Sequence, residues 1–229
     1  MALILHIETA TPVCSICLAR DGQVIDYRED TQANSHARLV TVFIQDILHT
    51  NKIAFNDLDA IAVSSGPGSY TGLRIGTSVA KGLCLALGKP LIAVPTLQAL
   101  AAQIQHEGND TDAYFMPVLD ARRLDVYTAI YNFSLNEVIK TACVTLGNDF
   151  ENSLHAFNKI IIGGNAKNKC AELLKLKTLE YATVTNTDSR FMVHIALKKY
   201  MKKEYENLAY FEPNYLKEFS AQTKGRQGV

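Results

Sequence analysis

Three short stretches carry residue types that could do chemistry. Ile7-Glu8-Thr9-Ala10-Thr11 sets a carboxylate and two hydroxyls at the end of an apolar run, followed by Ser15 and an Asp21-Gly22 turn. An acid at a strand end, with hydroxyls in the next hairpin, can orient a metal or water and face a phosphate. Taken alone the pattern is weak, and an ordinary hairpin is the better reading. Ser64-Ser65-Gly66-Pro67-Gly68-Ser69-Tyr70-Thr71-Gly72-Leu73-Arg74-Ile75-Gly76 joins an apolar run to a helical one through two glycines. Such a loop presents backbone N–H groups at a helix N-terminus, where an anion can sit. It is neither a Walker loop nor a dinucleotide fingerprint, because GxxxxGK[ST] is absent and Thr71 stands where a third glycine would be. Asp120-Ala121-Arg122-Arg123 offers two adjacent guanidinium groups, suited to phosphate or carboxylate. A salt bridge to Asp120, Asp125 or Glu212 is slightly favoured over contact with nucleotide or nucleic acid. The candidate phosphate contacts are therefore Glu8, Thr9, Gly66, Gly68, Arg122 and Arg123.

Metal and nucleophile chemistry find less support. A helical zinc site needs ligands at i and i+4, which share a face. No histidine follows His6, His36, His49, His106, His155 or His194 four residues on, and no HExxH or Ser/His/Asp order stands out. Cys14-x-x-Cys17 lies in VCSICLA, which has strand composition, so its odd spacing points the two thiols to opposite faces. Buried packing is the favoured reading there, and a metal knuckle the remote one.

The elements that must position these residues follow from periodicity. Leu3 to Thr9, Cys14 to Arg20 and Gln23 to Arg28 read as a meander of three strands. Asn34-Ser35 offers a helix cap, and Leu39, Val42, Phe43 and Ile47 form the inward face of a helix over 36–50. A strand over Ala60 to Ser65, a helix over 71–87, a strand over Leu91 to Val94 and a helix capped by Thr96 complete the first half. The second half echoes it, with strands at Tyr114 to Leu119, Asp125 to Tyr131, Val138 to Leu146 and Lys159 to Ile162. A helical stretch then runs to about Leu176, and a last helix spans Phe191 to Tyr205. The turn-rich GNDTD segment suggests a lobe over 1–108, a lobe over 109–220 and a mobile tail over 221–229. The extended Glu212 to Leu216 segment is expected to pack back on the first lobe. The fold class is α/β, with mixed sheets and helices packed on them.

In the 71–87 helix, Gly72, Gly76 and Ala80 recur every fourth residue after Ser69, a smooth stripe that another helix backbone could approach closely. Leu73, Ile75, Val79, Leu83, Cys84, Leu85 and Leu87 surround the same helix. A helix apolar all round is buried on all sides, so a partner helix is expected against it. The expected partner surface is Ser35, His36, Arg38, Leu39, Val42, Ser69, Gly72, Leu73, Gly76, Ala80 and Leu83.

Composition sets the outer limits. Among 229 residues, Lys plus Arg equals Asp plus Glu at 23 each, so no global field is available to hold RNA. Five cysteines in apolar surroundings, no basic leader and no long apolar run lead to the expectation of a cytoplasmic protein with no membrane span.

The opening HIETATPVCSICL with its DG turn, GPGSYTGLRIG, DARRLDVY at 120–127 and EPNYL near the C-terminus occur in the same order in one family. The chain resembles the TsaB (YeaZ) family of threonylcarbamoyladenosine biosynthesis over nearly its whole length. The resemblance implies an actin-like (ASKHA, ribonuclease H-like) fold of two lobes. It implies a non-catalytic role in forming threonylcarbamoyladenosine at position 37 of ANN-decoding tRNAs. The implied partners are a TsaD-like catalytic subunit and a TsaE-like ATPase, with a homodimer in their absence and tRNA met through the complex. No resident cofactor is implied, with ATP or ADP at the complex interface left open. An ATP-binding small-molecule kinase and a peptidase are the competing classes. One departure stands out: the family's first-strand Asp is Glu8 here, which casts doubt on phosphate or metal coordination by that loop.

Overall fold

The computed structural model describes residues 1–31, 36–108 and 110–217. Two five-stranded mixed sheets share one connectivity. The first is built from β1 (Leu3–Glu8), β2 (Cys14–Arg20), β3 (Gln23–Asp30), β4 (Ala60–Ser64) and β5 (Leu91–Val94), in the order β3-β2-β1-β4-β5. The first three strands are antiparallel, and β4 and β5 add in parallel. Between them lie α1 (His36–Thr50), α2 (Tyr70–Leu87) and, after β5, α3 (Thr96–Glu107). The second sheet repeats the plan with β6 (Tyr114–Asp120), β7 (Asp125–Tyr131), β8 (Glu137–Thr145), α4 (Asn148–Ser153), β9 (Ile160–Gly163), α5 (Lys167–Leu173) and β10 (Leu179–Tyr181). Its order is β10-β9-β6-β7-β8, again three antiparallel strands followed by two parallel ones. A last helix, α6 (Val193–Met201), follows a 3-10 turn at Ser189–Met192. The doubled order is the actin-like architecture that the resemblance implies.

β1 is central and buried on both faces, so it is apolar nearly throughout instead of alternating. One face of the first sheet packs on α1 and α2 through Leu5, Ile7, Ile16, Ile44, Ile47, Ala80 and Cys84. The other face packs on α3 and α6 through Ile4, Ala62, Ile92, Ala99, Met192 and Ala196. Thus α6, placed by sequence in the second lobe, returns to the first sheet. α3 serves both lobes, because Leu97, Leu100 and Ile104 join Phe115, Leu119 and Tyr131 of the second sheet. Cys14 lies in the core beneath α1 and α2, and Cys17 packs on Val193. The two thiols do face opposite sides, and burial pushes both up to about 12, which suits packing and not thiolate chemistry.

Three local expectations are corrected. The inward face of α1 is Val40, Ile44, Ile47 and Leu48, while Val42 is 49% exposed and Leu39 and Phe43 are half-buried. The Thr96 side chain does not cap α3, since its hydroxyl instead accepts the Gly66 N–H at 3.0 Å. The last helix stops at Met201, short of Tyr205, where Lys203 turns to φ 57° and the Glu206 N–H donates to Leu91 O at the edge of the first sheet.

Candidate functional site

The Glu8 region is a buried seam that joins the loop after β1 to the segment before α6. Glu8, Thr9, Thr11, Ser15, Ser64, Thr187 and Ser189 are all buried. The Thr11 and Thr187 hydroxyls meet at 3.0 Å, and the Ser189 N–H donates to Ser15 Oγ at 3.0 Å. Glu8 Oε1 accepts the Ala10 N–H at 2.6 Å, while Oε2 has no hydrogen-bond partner. Burial pushes the Glu8 carboxyl up to about 7, against the Ala10 N–H, which pulls it down.

The glycine loop is equally occupied. Ser69 N–H donates to Ala10 O at 2.7 Å, and the Ser69 hydroxyl caps α2 by accepting the Gly72 N–H at 3.2 Å. Gly66 has φ +95°, its N–H is held by Thr96, and a Cβ there would lie 2.7 Å from Asn214 O. On Gly68 a Cβ would lie 2.5 Å from Ala10 O. Of the expected phosphate contacts, Glu8 and Thr9 are buried, Gly66 gives its N–H to Thr96, and Gly68 lies against Ala10. Among the described residues there is no group of three or more His, Cys, Asp or Glu able to hold a metal.

The small stripe on α2 is also turned inward. Gly72, Leu73, Gly76 and Ala80 are buried. A Cβ on Gly72 would lie 2.0 Å from Thr9 O, and one on Gly76 would lie 2.3 Å from Thr9 Oγ1. The stripe is thus the seat of the loop after β1, and a partner helix cannot reach it. Gly72, Leu73, Gly76 and Ala80 drop out of the expected partner surface, and Ser69 is a helix cap. Gly76→Leu would injure the fold and is no clean probe of association.

What α1 and α2 present outward is different. Arg38, Thr41, Val42 and Gln45 are exposed on α1, and Arg74, Ser78, Gly82 and Leu85 on α2. Leu85 is 77% exposed. Phe43 of α1, with Ile75, Val79 and Leu83 of α2, is half-buried beside the first core, and Leu39 is half-buried. Leu39, Val42, Leu83 and Arg38 thus remain accessible, joined by Ile75, Val79 and Leu85. Their apolar character was visible in the sequence, but their facing was not. Ser35 and the Asn34-Ser35 cap lie outside the described residues, and His36 opens α1.

Arg122 and Arg123 sit in the exposed β6–β7 turn, both in the left-handed region at φ 71° and 50°. The expected salt bridge is corrected. Asp120 pairs with Lys169, and Asp125 with Lys217 at 2.5 Å. Among the described residues neither arginine side chain has an ion-pair partner.

Residues 29–224 match the family model described as "TsaD: tRNA N6-adenosine threonylcarbamoyltransferase". The chain belongs to this family. Several of its curated relatives bear the name TsaB. The tRNA threonylcarbamoyladenosine biosynthesis protein TsaB of Escherichia coli is 37% identical over 135 residues, 59% of this chain and 57% of that protein. TsaB of Buchnera aphidicola subsp. Baizongia pistaciae is 26% identical over 220 residues, 94% of this chain and 98% of that protein. The chain therefore spans somewhat over half the length of the Escherichia coli relative in the matched region. YeaZ from Pseudomonas aeruginosa superposes with a TM-score of 0.80 at 23% identity, covering 94% of this chain and 100% of that one, which shows the fold. No helix among the described residues is long and apolar enough to cross a membrane.

Proposed function

We propose that this chain acts in tRNA threonylcarbamoyladenosine biosynthesis as a non-catalytic subunit, docking a catalytic TsaD-like homologue on the outward faces of α1 and α2. The observation that carries the reading is the uncovered apolar band of Leu39, Val42, Phe43, Ile75, Val79, Leu83 and Leu85 on two adjacent helices. Apolar side chains clustered on paired helices are suited to a helix-to-helix interface. Support for the non-catalytic part comes from the burial of Glu8 and its neighbouring hydroxyls, and from the lack of a metal-capable cluster among the described residues. A TsaE-like ATPase would join the assembled pair, and a second copy would cover the same band when the catalytic subunit is missing. ATP or ADP would then sit between subunits and not in the Glu8 seam. tRNA would be modified in the active site of the catalytic subunit.

Co-expression with the catalytic homologue from the same genome tests this reading. The expected outcome is a co-purifying complex whose mass equals the sum of its subunits, with threonylcarbamoyl transfer seen only in the complex. Transfer to tRNA by the isolated chain would contradict it.

A further inference from the structure

The β6–β7 turn sets two consecutive arginines in a backbone conformation that L side chains rarely adopt. Asn and Gly occupy such positions readily, whereas arginine gains nothing locally. Neither guanidinium finds an ion pair among the described residues, because Lys169 and Lys217 already take Asp120 and Asp125. Two exposed cations are thus held on a strained turn with no ion pair among the described residues. Leu124, the next residue, is 51% exposed.

A row of rings and cations adjoins this turn. Arg74 lies over the Tyr70 ring at 4.0 Å, and the Tyr70 ring meets Tyr215 at a tilt of 49° with centroids 4.8 Å apart. Lys217, two residues past Tyr215, donates to Ala121 O at 2.9 Å and so ties the row to the turn. Arg122 and Lys217 both act electrostatically on Tyr127, and Tyr127 lines a small cleft with Pro67, Tyr70 and Tyr215. The row therefore bridges the lobes, with the exposed arginines at one end and Arg74 at the other.

We propose that this row is a contact site for an unpaired stretch of RNA, with the arginine turn on its phosphates and the tyrosines beneath its bases. Strands without base pairs are held by cation-lined grooves with aromatic or guanidinium planes for stacking. The local excess of Arg74, Arg122 and Arg123 supplies the field that the neutral chain lacks overall. The choice of RNA rests on the proposed role in tRNA modification, and the surface itself rests on the geometry alone.

The test measures binding of an unmodified tRNA transcript across a salt series, with the full chain alone and with the co-purified complex. Arg122→Asn combined with Arg123→Gly relieves the turn, so the melting temperature should rise by about 2–4 °C. The same variant should bind RNA at least about tenfold more weakly, with a salt slope smaller by about 1.4 for two lost phosphate contacts. Tyr215→Ala should weaken binding and Tyr215→Phe should restore it. Unchanged affinity and slope in the arginine variant would overturn the proposal. So would the absence of RNA binding by both chain and complex, or binding of ADP at the turn without RNA. Failure to co-purify with a catalytic homologue, with RNA binding retained, would instead strike the docking reading.

Discussion

The two faces of α2 use small residues for opposite ends. On the inner face Gly72 and Gly76 are jammed against Thr9, where no Cβ fits. On the outer face Gly82 has nothing within 4 Å and Leu85 stands in the open. A glycine at helical spacing therefore says that something comes close, or that something could. The inner face is answered within the chain, by the loop after β1. Among the described residues nothing answers the outer face, which is why docking is proposed there.

The largest expected effect breaks the inner face. Gly72→Ala puts a methyl group onto a backbone oxygen that cannot swing away, and should destabilise by about 3 kcal/mol. Denaturant unfolding measures this, and a loss under about 1 kcal/mol would mean that the Thr9 contact is loose.

A comparable effect lies in the seam that this contact helps to close. Glu8 is raised by burial from 4.5 to about 7, and burial lowers His6 from 6.5 to about 4. For Glu8 the unfolded chain ionises first, so its contribution to stability falls as pH rises from about 4.5 to 7. For His6 the folded chain stays neutral, so its contribution is lost as pH falls from 6.5 to about 4. Each amounts to about 3 kcal/mol, and the two oppose one another between pH 4.5 and 6.5. The wild-type profile should be nearly flat there. Glu8→Gln should uncover a climb of about 3 kcal/mol with rising pH, read from melts at each pH. A flat profile in the variant would remove the buried-carboxylate account.

Smaller still, Gly82→Ala on the outer face should stabilise the isolated chain by about 0.5–1 kcal/mol, because only helix propensity changes where space is open. Destabilisation would show that this face is more crowded than it stands here.

How far the sequence could be read depended on how unique its pattern was. Cys14–Arg20, Leu91–Val94 and Asp125–Tyr131 were legible to the residue, because each is a short apolar or alternating run bounded by turn residues. The facing of α1 was not. Leu39, Val42 and Phe43 compete with Val40, Ile44 and Leu48 for the inward side, so periodicity admits two registers. The end of α6 escaped because Leu91, distant in sequence, claims the Glu206 N–H. At the candidate site the glycine loop was found, but its contacts within the chain were not. Spacing reveals exposed N–H groups, but not that Ala10 and Thr96 will accept those of Ser69 and Gly66, or that Asn214 will crowd Gly66.

The central claim is that the outward band of α1 and α2 is a docking surface, and one measurement addresses it most directly. Val42→Arg with Leu85→Arg should leave the melting temperature of the isolated chain within about 2 °C, since neither side chain is buried in it. The mass of the co-expressed material should then fall from that of the complex with the catalytic homologue to that of separate subunits. A complex of undiminished mass and affinity carrying both arginines would contradict the account.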